Sequence, residues 1–500
     1  MDDIASSPAK APIRLDPARG LRIAIVGAGF SGIGMAAHLK RAGLDNFVIL
    51  DRGADLGGTW RDNDYPGCAC DVPVRLYSFS FAQSGDWSRI YGGQAEILAY
   101  LRRCAARFHL GPHFRFDCAL TAATWDGDAR CWRISLADGR TVEADVLIGA
   151  WGGLSNPALP DIEGLGTFAG AMFHSARWDH GADLDGRRIA VIGTGASAIQ
   201  FAPEIAPRAG RLELFQRTPP WIIPKPDRET TPLERRLYRL LPPARWLARA
   251  AVYAQLESRA FGFVVSPRLM KAAERIARRH LARSIADPAL RDALTPHYTM
   301  GCKRVLISND WYPMFNRPNV SLATAPIERI EPSGIRTTDG VLHEADALIL
   351  GTGFQVNDYR LPFTITGRDG ADLDETWRDG PAAYLGTAVP GFPNLFLLMG
   401  PNTGLGHNSM IYMIESQIGY VMRALAALRR SGARSIAVRE ERFRRYNAEL
   451  ARKMHRTVWE TGCRSWYANR HGKVTALWPG FTFQFRRRVK RLDPGDYDFA

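Results

Sequence analysis

The chain has 500 residues, 46% of them hydrophobic, enough to bury several cores in roughly two to four domains of about 100 to 200 residues each. A formal charge of +14, from 65 basic and 51 acidic side chains, suits phosphate-bearing small ligands, anionic lipid or nucleic acid without choosing among them. No run approaches the ~18 apolar residues of a spanning helix, and Cys68, Cys70, Cys104, Cys118, Cys131, Cys302 and Cys463 show neither zinc spacing nor a Cys-x-x-Cys pair, so they read as reduced thiols of a soluble, cytoplasmic protein.

Residues 1–20 are rich in Ala, Pro and Asp and lack the apolar core of a secretion signal, which predicts a short disordered leader. Leu21 to Val26 is then a β-branched strand running into Gly27-Ala28-Gly29-Phe30-Ser31-Gly32 and a helix-like segment. Strand, glycine turn and helix together form a pyrophosphate cradle: Gly27 for the turn, Gly29 for close backbone approach, Gly32 for helix packing. A second strand, Phe47 to Leu50, ends in Asp51, 24 residues after Gly27, where a carboxylate can accept from an adenosine ribose.

The same design returns downstream. Arg188 to Ile192 enters Gly193-Thr194-Gly195-Ala196-Ser197-Ala198, and the next strand, Leu212 to Phe215, leads to Arg217 and Thr218, with Arg217 again 24 residues on. An acid in the first unit is thus a cation in the second. A carboxylate pairs with a free ribose hydroxyl and an arginine with a 2′-phosphate, so the first unit suits the adenosine half of FAD and the second prefers NADPH. The duplication extends further, since Asp138-Gly139-x-x-x-Glu143-Ala144-Asp145 recurs as Asp339-Gly340-x-x-x-Glu344-Ala345-Asp346, each feeding a strand.

The predicted class is therefore α/β, with two Rossmann-like dinucleotide-binding domains and a helical insertion in the second. Expected boundaries are 21–155 with 388–500 for FAD, 156–224 with 318–387 for NADP, and 225–317 for the insertion. After Pro219, Pro220, Pro224 and Pro226, the insertion places Leu233, Leu237, Leu240 and Leu241 on one helical face with arginines opposite. That face can cover a substrate tunnel; a basic amphipathic helix can also lie on a membrane surface. Later, Ser409 to Arg430 reads as a long helix whose N-terminal end could stabilise negative charge on a reduced flavin. The basic run Arg486, Arg487, Arg488, Lys490, Arg491 lacks interleaved aromatics, so it reads as a solvated surface and no nucleic acid is expected.

Between the two glycine signals stands Phe168-x-Gly170-x-x-x-His174-x-x-x-Trp178-Asp179. With Gly57-Gly58-Thr59-Trp60, Tyr65-Pro66-Gly67, Cys70-Asp71, Tyr77-Ser78-Phe79, Lys303-Arg304 and Gly391-Phe392-Pro393-Asn394, it resembles the Baeyer-Villiger monooxygenases over nearly the whole chain. Ser465-Trp466-Tyr467 and Leu477-Trp478-Pro479-Gly480 look like the branch that includes acetophenone-type enzymes. Cys68 departs from the Ala or Val common there and adds a thiol near the expected flavin, a possible point of oxidative sensitivity.

The resemblance implies that NADPH reduces FAD, that the reduced flavin captures oxygen as a C4a-peroxide, and that this attacks a ketone to give an ester or lactone. Arg304 would be the fixed cation this requires, and Asp71 its carboxylate partner. Gly58, Thr59, Trp60, Asp71 and Tyr77 would join the flavin site; Lys303, Arg217, Thr218 and Trp466 would serve the nicotinamide cofactor. Phe168, Gly170, His174, Trp178 and Asp179 would form a fingerprint and domain hinge, with His174 structural rather than a base. No metal is expected, and the protein would work as monomer or homodimer. The alternatives are a flavin monooxygenase acting on amine nitrogen or sulfur, and a non-catalytic NADP-binding protein.

Overall fold

A computed structural model describes residues 12–356, 361–463, 465 and 467–500. In the first unit β1 (Ile23–Val26) runs through the glycine turn into α1 (Phe30–Arg41) and returns as β2 (Phe47–Leu50); β3 (Val146–Gly149) lies on the other side of β1. Each of these strands is four apolar or small residues buried on both faces, the pattern of a parallel strand covered by helices on either side. Phe114–Arg115 and Leu395–Leu397 complete a five-stranded parallel sheet.

The second unit repeats the layout with β4 (Ala171–His174), β5 (Arg188–Ile192), α2 (Ala198–Ile205) and β6 (Arg211–Phe215). Between β6 and the next strand of this sheet come the helices α3 (Pro232–Leu240), α4 (Pro242–Ser258) and α5 (Met270–Ser284). The sheet closes with β7 (Val320–Ala323) and β8 (Ala347–Leu350), in the order β7-β6-β5-β8-β4, all parallel. The long helix α6 (Met410–Ser431), capped by Ser409, packs back on α1 in the first unit.

The Glu-x-Asp repeat has a structural counterpart. Arg22, just before β1, donates from its backbone N to Asp145 at 2.9 Å and from Nη2 at 2.7 Å; Arg188, opening β5, does the same to Asp346 at 2.9 and 2.7 Å. Each carboxylate thereby ties the late strand of its unit to the first one.

Four expectations are corrected. Residues 12–20 are ordered: Asn46 holds the backbone of Asp16 from both sides, Pro17–Arg19 forms a turn of 3-10 helix, and Ile13 is buried in the first unit. The return to the first unit comes before residue 388, because Thr364–Thr366 pairs with Ala122–Thr124 and Ile365, Leu373 and Trp377 pack in that unit's second core. Cys302 and Cys463 are not free thiols but a disulfide, with Cα atoms 6.3 Å apart across 161 positions, a separation that no local spacing rule reports. Finally, Leu233, Leu237, Leu240 and Leu241 cover no tunnel and face outward. No helix among the described residues is long and apolar enough to cross a membrane.

Candidate functional site

Two glycine turns form the floor of the site. At Gly27, with φ +113°, a Cβ would sit 2.4 Å from the Ala150 carbonyl oxygen, and at Gly32 one would sit 1.9 Å from that of Gly27. Only glycine lets β1, β3 and α1 close this tightly. Gly29 instead faces Gly58, its would-be Cβ 3.7 Å from the Gly58 Cα, and both line a cavity of about 380 Å³. Thr59, Trp60 and Tyr77 line it, with Trp60 Nε1 donating to the Tyr77 hydroxyl at 3.1 Å. Met410, Ile411 and Ile414 bring the N-terminal turn of α6 to the same cavity, so the positive end of that helix points at it.

Asp51 lines this cavity at the end of β2, but its oxygens are already engaged. They accept from Ala28 N at 2.7 Å, Gly53 N at 2.8 Å and Arg61 Nη1 at 2.7 Å. Oδ1 takes two of these bonds and Oδ2 one, so Oδ2 retains capacity for a ribose hydroxyl; Arg61 is a partner that the glycine pattern does not announce.

The second turn copies the first. A Cβ on Gly193, φ +108°, would meet the Gly351 carbonyl oxygen at 2.4 Å, whereas one on Gly195 would meet nothing within 4 Å. Thr194 is buried, and Ser197 leads into α2 at Ala198. Arg217 is exposed at the end of β6, beside half-buried Thr218. Lys303 approaches from the far end of the insertion, its Nζ 4.9 Å from the Tyr298 ring. Burial first, and then the charge of Arg217, hold the Lys303 ammonium below its ordinary pKa. Among the described residues neither cation has a carboxylate within ion-pair distance, the condition of a site prepared for an anion.

The units meet over Gln200 of α2. Its side chain accepts from the Tyr65 hydroxyl at 3.0 Å and donates to the Ala69 carbonyl at 3.0 Å, while a Cβ on Gly67 would meet the Gln200 carbonyl at 2.8 Å. This clamp seats the loop that ends in Asp71. Asp71 Oδ2 accepts from both Nε (2.8 Å) and Nη2 (2.6 Å) of Arg304, which raises the guanidinium pKa and holds the charge permanently. Tyr467 is fully buried close enough to Arg304 for the two to interact electrostatically, and burial pushes its hydroxyl up to about 12.

Arg304 stands in the wall of a second cavity, about 180 Å³, otherwise largely apolar, with Trp377, Leu397, Leu405 and Leu477 among its lining. The two cavities share Trp151 to Leu154, Met399 and Met410. A cation fixed by a carboxylate therefore looks into a largely apolar chamber next door to the first cradle. The sequence singles out neither Gln200 nor Tyr467: the first belongs to no motif, and the second stands only as the last of the triplet Ser465-Trp466-Tyr467. Trp466 lies outside the described residues.

The fingerprint lines neither cavity. Gly170 and His174 belong to the approach and body of β4, where a Cβ on Gly170 would strike the Asp346 carbonyl at 2.2 Å. Phe168 packs in the second unit's core, and Asp179 accepts from Gly181 N at 2.9 Å. His174 Nδ1 accepts from Ala176 N at 3.0 Å, and burial lowers its pKa, so the ring is a neutral cap. Trp178 lies between Phe173 and Phe201, at 5.1 and 5.2 Å, pinning the turn to α2. The Cys68 thiol is buried, donates to the Asn63 carbonyl at 3.1 Å and is pushed up to about 12, which disfavours the reactive thiolate.

A family profile described as an NAD(P)-binding Rossmann-like domain matches residues 25–93. A Baeyer-Villiger monooxygenase of Pseudomonas aeruginosa is 47% identical, the match covering 96% of this chain and 92% of that protein. Another from Streptomyces coelicolor is 46% identical over 95% of this chain and 92% of its own length. Among solved structures, OTEMO in complex with FAD and NADP superposes with a TM-score of 0.87 at 26% identity, covering 96% of this chain and 99% of that one.

Proposed function

The chain belongs to the Baeyer-Villiger monooxygenases, and from that premise we propose which of its residues carry out the oxidation. It is an NADPH- and oxygen-dependent flavoprotein that converts ketones to esters or lactones. The chain suits both cofactors: Gly27 and Gly193 leave no room for a side chain on the strand side, Gly29 lines a cavity and Gly195 faces open space, and among the described residues neither cation at the second turn has a carboxylate within ion-pair distance.

FAD would be held by Gly27, Gly29, Gly32, Asp51, Gly58, Thr59, Trp60 and Tyr77, and NADPH by Gly193, Thr194, Gly195, Ser197, Ala198, Arg217, Thr218 and Lys303, with Trp466 near the nicotinamide. Bound flavin, reduced by the nicotinamide, supplies the electrons that activate oxygen. Arg304 holds a cation where negative charge develops on the carbonyl oxygen, and its guanidinium cannot release its proton at working pH. Asp71 keeps that cation oriented, Tyr467 buttresses it, and the apolar chamber excludes water from the reacting carbonyl. The same chamber favours ketones with apolar substituents. His174 and Trp178 would act at a distance, as a hinge linking NADP binding at α2 to closure of the two units.

The observation that carries this assignment is the double donation of Arg304 to one oxygen of Asp71 at the edge of a chamber sharing its wall with the flavin cradle. NADPH dependence supports a cytoplasmic setting. The test is turnover of aryl, cyclic and linear ketones under labelled oxygen gas with wild type, Arg304→Ala and Arg304→Lys. One labelled atom should appear in the ester, with Arg304→Ala slower than wild type by about 10² to 10³ or more and Arg304→Lys also impaired. Oxygen transfer to amines or sulfides with every ketone refused would favour the nitrogen- and sulfur-oxidising alternative.

A further inference from the structure

The insertion carries two helices that turn polar groups inward and leave large apolar side chains in water. α3 turns Tyr238 and Arg235 toward the body of the protein: the Tyr238 ring lies 3.7 Å from the Arg75 guanidinium and Arg235 Nε donates to the Thr230 carbonyl at 3.1 Å, while exposed Arg239 donates to Asp86 at 2.9 and 2.6 Å. α4 does likewise. Its buried Arg249 donates to the carbonyls of Arg75 and Ser78 at 2.8 and 2.9 Å, and its buried Glu257 accepts from Thr482 N at 2.6 Å. Beside exposed Arg236 and Arg239, what faces water is apolar: Leu233 is 76% exposed, Leu240 64% and Leu247 73%, with Leu237, Leu241 and Trp246 beside them in the chain. A surface helix of a globular protein normally has the opposite arrangement.

Charge identifies what covers this ridge. Residues 225–317 hold 18 basic and 8 acidic side chains, a net +10 out of +14 for the whole chain. Arg236 sits between Leu233 and Leu237. On α5, exposed Ile276 stands among Lys271, Arg275, Arg279 and Arg283, none with an ion pair recorded among the described residues. A second copy of the chain would bring two such surfaces together and set like charges against each other. An anionic bilayer would instead take the leucines and tryptophan into its interface and neutralise the basic rim.

We propose that the α3–α4 ridge seats this protein on the surface of anionic lipid bilayers, as a peripheral contact with no segment crossing. The test is co-sedimentation of the flavin-loaded protein with sucrose-filled vesicles of phosphatidylcholine, with and without phosphatidylglycerol. Partition should be at least about ten-fold higher on the anionic vesicles and should fall as salt is added. The double variant Leu237→Glu/Leu240→Glu should lose it, and Arg275→Glu/Arg279→Glu should lose the preference for phosphatidylglycerol, while both keep wild-type Tm and ketone turnover. Absence of sedimentation, or equal sedimentation of the leucine variant, would overturn the proposal. So would a concentration-dependent dimer, seen by mass photometry and abolished in the leucine variant, because the ridge would then be an interface between copies.

Discussion

Replacing Asp71 by Asn keeps the shape of the Arg304 site and removes one charge. At about 4 Å between charge centres and an effective dielectric near 20, the pair attracts by ~4 kcal/mol. Side-chain exposures of 31% for Arg304 and 27% for Asp71 let solvent screen part of that, and halving it leaves ~2 kcal/mol for the orientation of the guanidinium. We expect ketone turnover to fall about 30-fold in Asp71→Asn, with partial recovery in Asp71→Glu, whereas Arg304→Ala loses about 10² to 10³ or more. Stopped-flow absorbance separates the steps: the rate of flavin reduction by NADPH should change little in Asp71→Asn, and the loss should fall on ester formation. A folded, yellow Asp71→Asn enzyme with wild-type ester formation would refute the reasoning, since Arg304 would then need no carboxylate to hold it.

Arg217→Ala should raise KM for NADPH by about 10- to 100-fold and shrink the preference over NADH, because a charge-assisted phosphate contact contributes ~1.5–3 kcal/mol; an unchanged coenzyme ratio would exclude Arg217 from the 2′-phosphate site. Gly27→Ala and Gly193→Ala place a Cβ equally close to a carbonyl oxygen, 2.4 Å in both, yet should differ: the first is expected to purify without flavin, the second yellow but not reduced by NADPH. Thiol titration of unfolded protein should find 5 free cysteines before reduction and 7 after, and reduction or Cys463→Ser should lower Tm, with ~5 kcal/mol the upper bound for releasing so long a loop. Burial lowers the pKa of His38, His113 and His174 from 6.5, so the unfolded chain binds more protons as pH falls through that value. Stability contributed by these groups is complete above pH 6.5 and declines on acidification, by at most ~1.4 kcal/mol per pH unit per group; His174→Asn, which keeps an acceptor for Ala176 N, should flatten the curve of Tm against pH.

Much of this molecule is legible along the chain because its chemistry is local. A strand that ends in Gly27 or Gly193 must turn tightly and pass near another backbone, and the partners, Ala150 and Gly351, sit at the ends of the very strands that the Glu-x-Asp repeat introduces. The pairing of an acid in one unit with a cation in the other follows from a constant offset of 24 residues, and Lys303-Arg304 is a short motif that survives without its surroundings.

Contacts between distant segments were decided only in three dimensions. Gln200 clamps the loop before Asp71, Tyr467 comes within electrostatic range of Arg304, and Cys302 finds Cys463 across 161 positions; spacing rules describe helices, turns and metal loops, not the return of a chain more than a hundred residues later. The leucines of α3 show the same limit from the other side. Their period predicts one apolar face correctly, but which way a helix turns that face depends on what anchors its opposite side, and here Arg75 against Tyr238 and the Thr230 carbonyl on Arg235 hold that side inward, leaving the leucines in water.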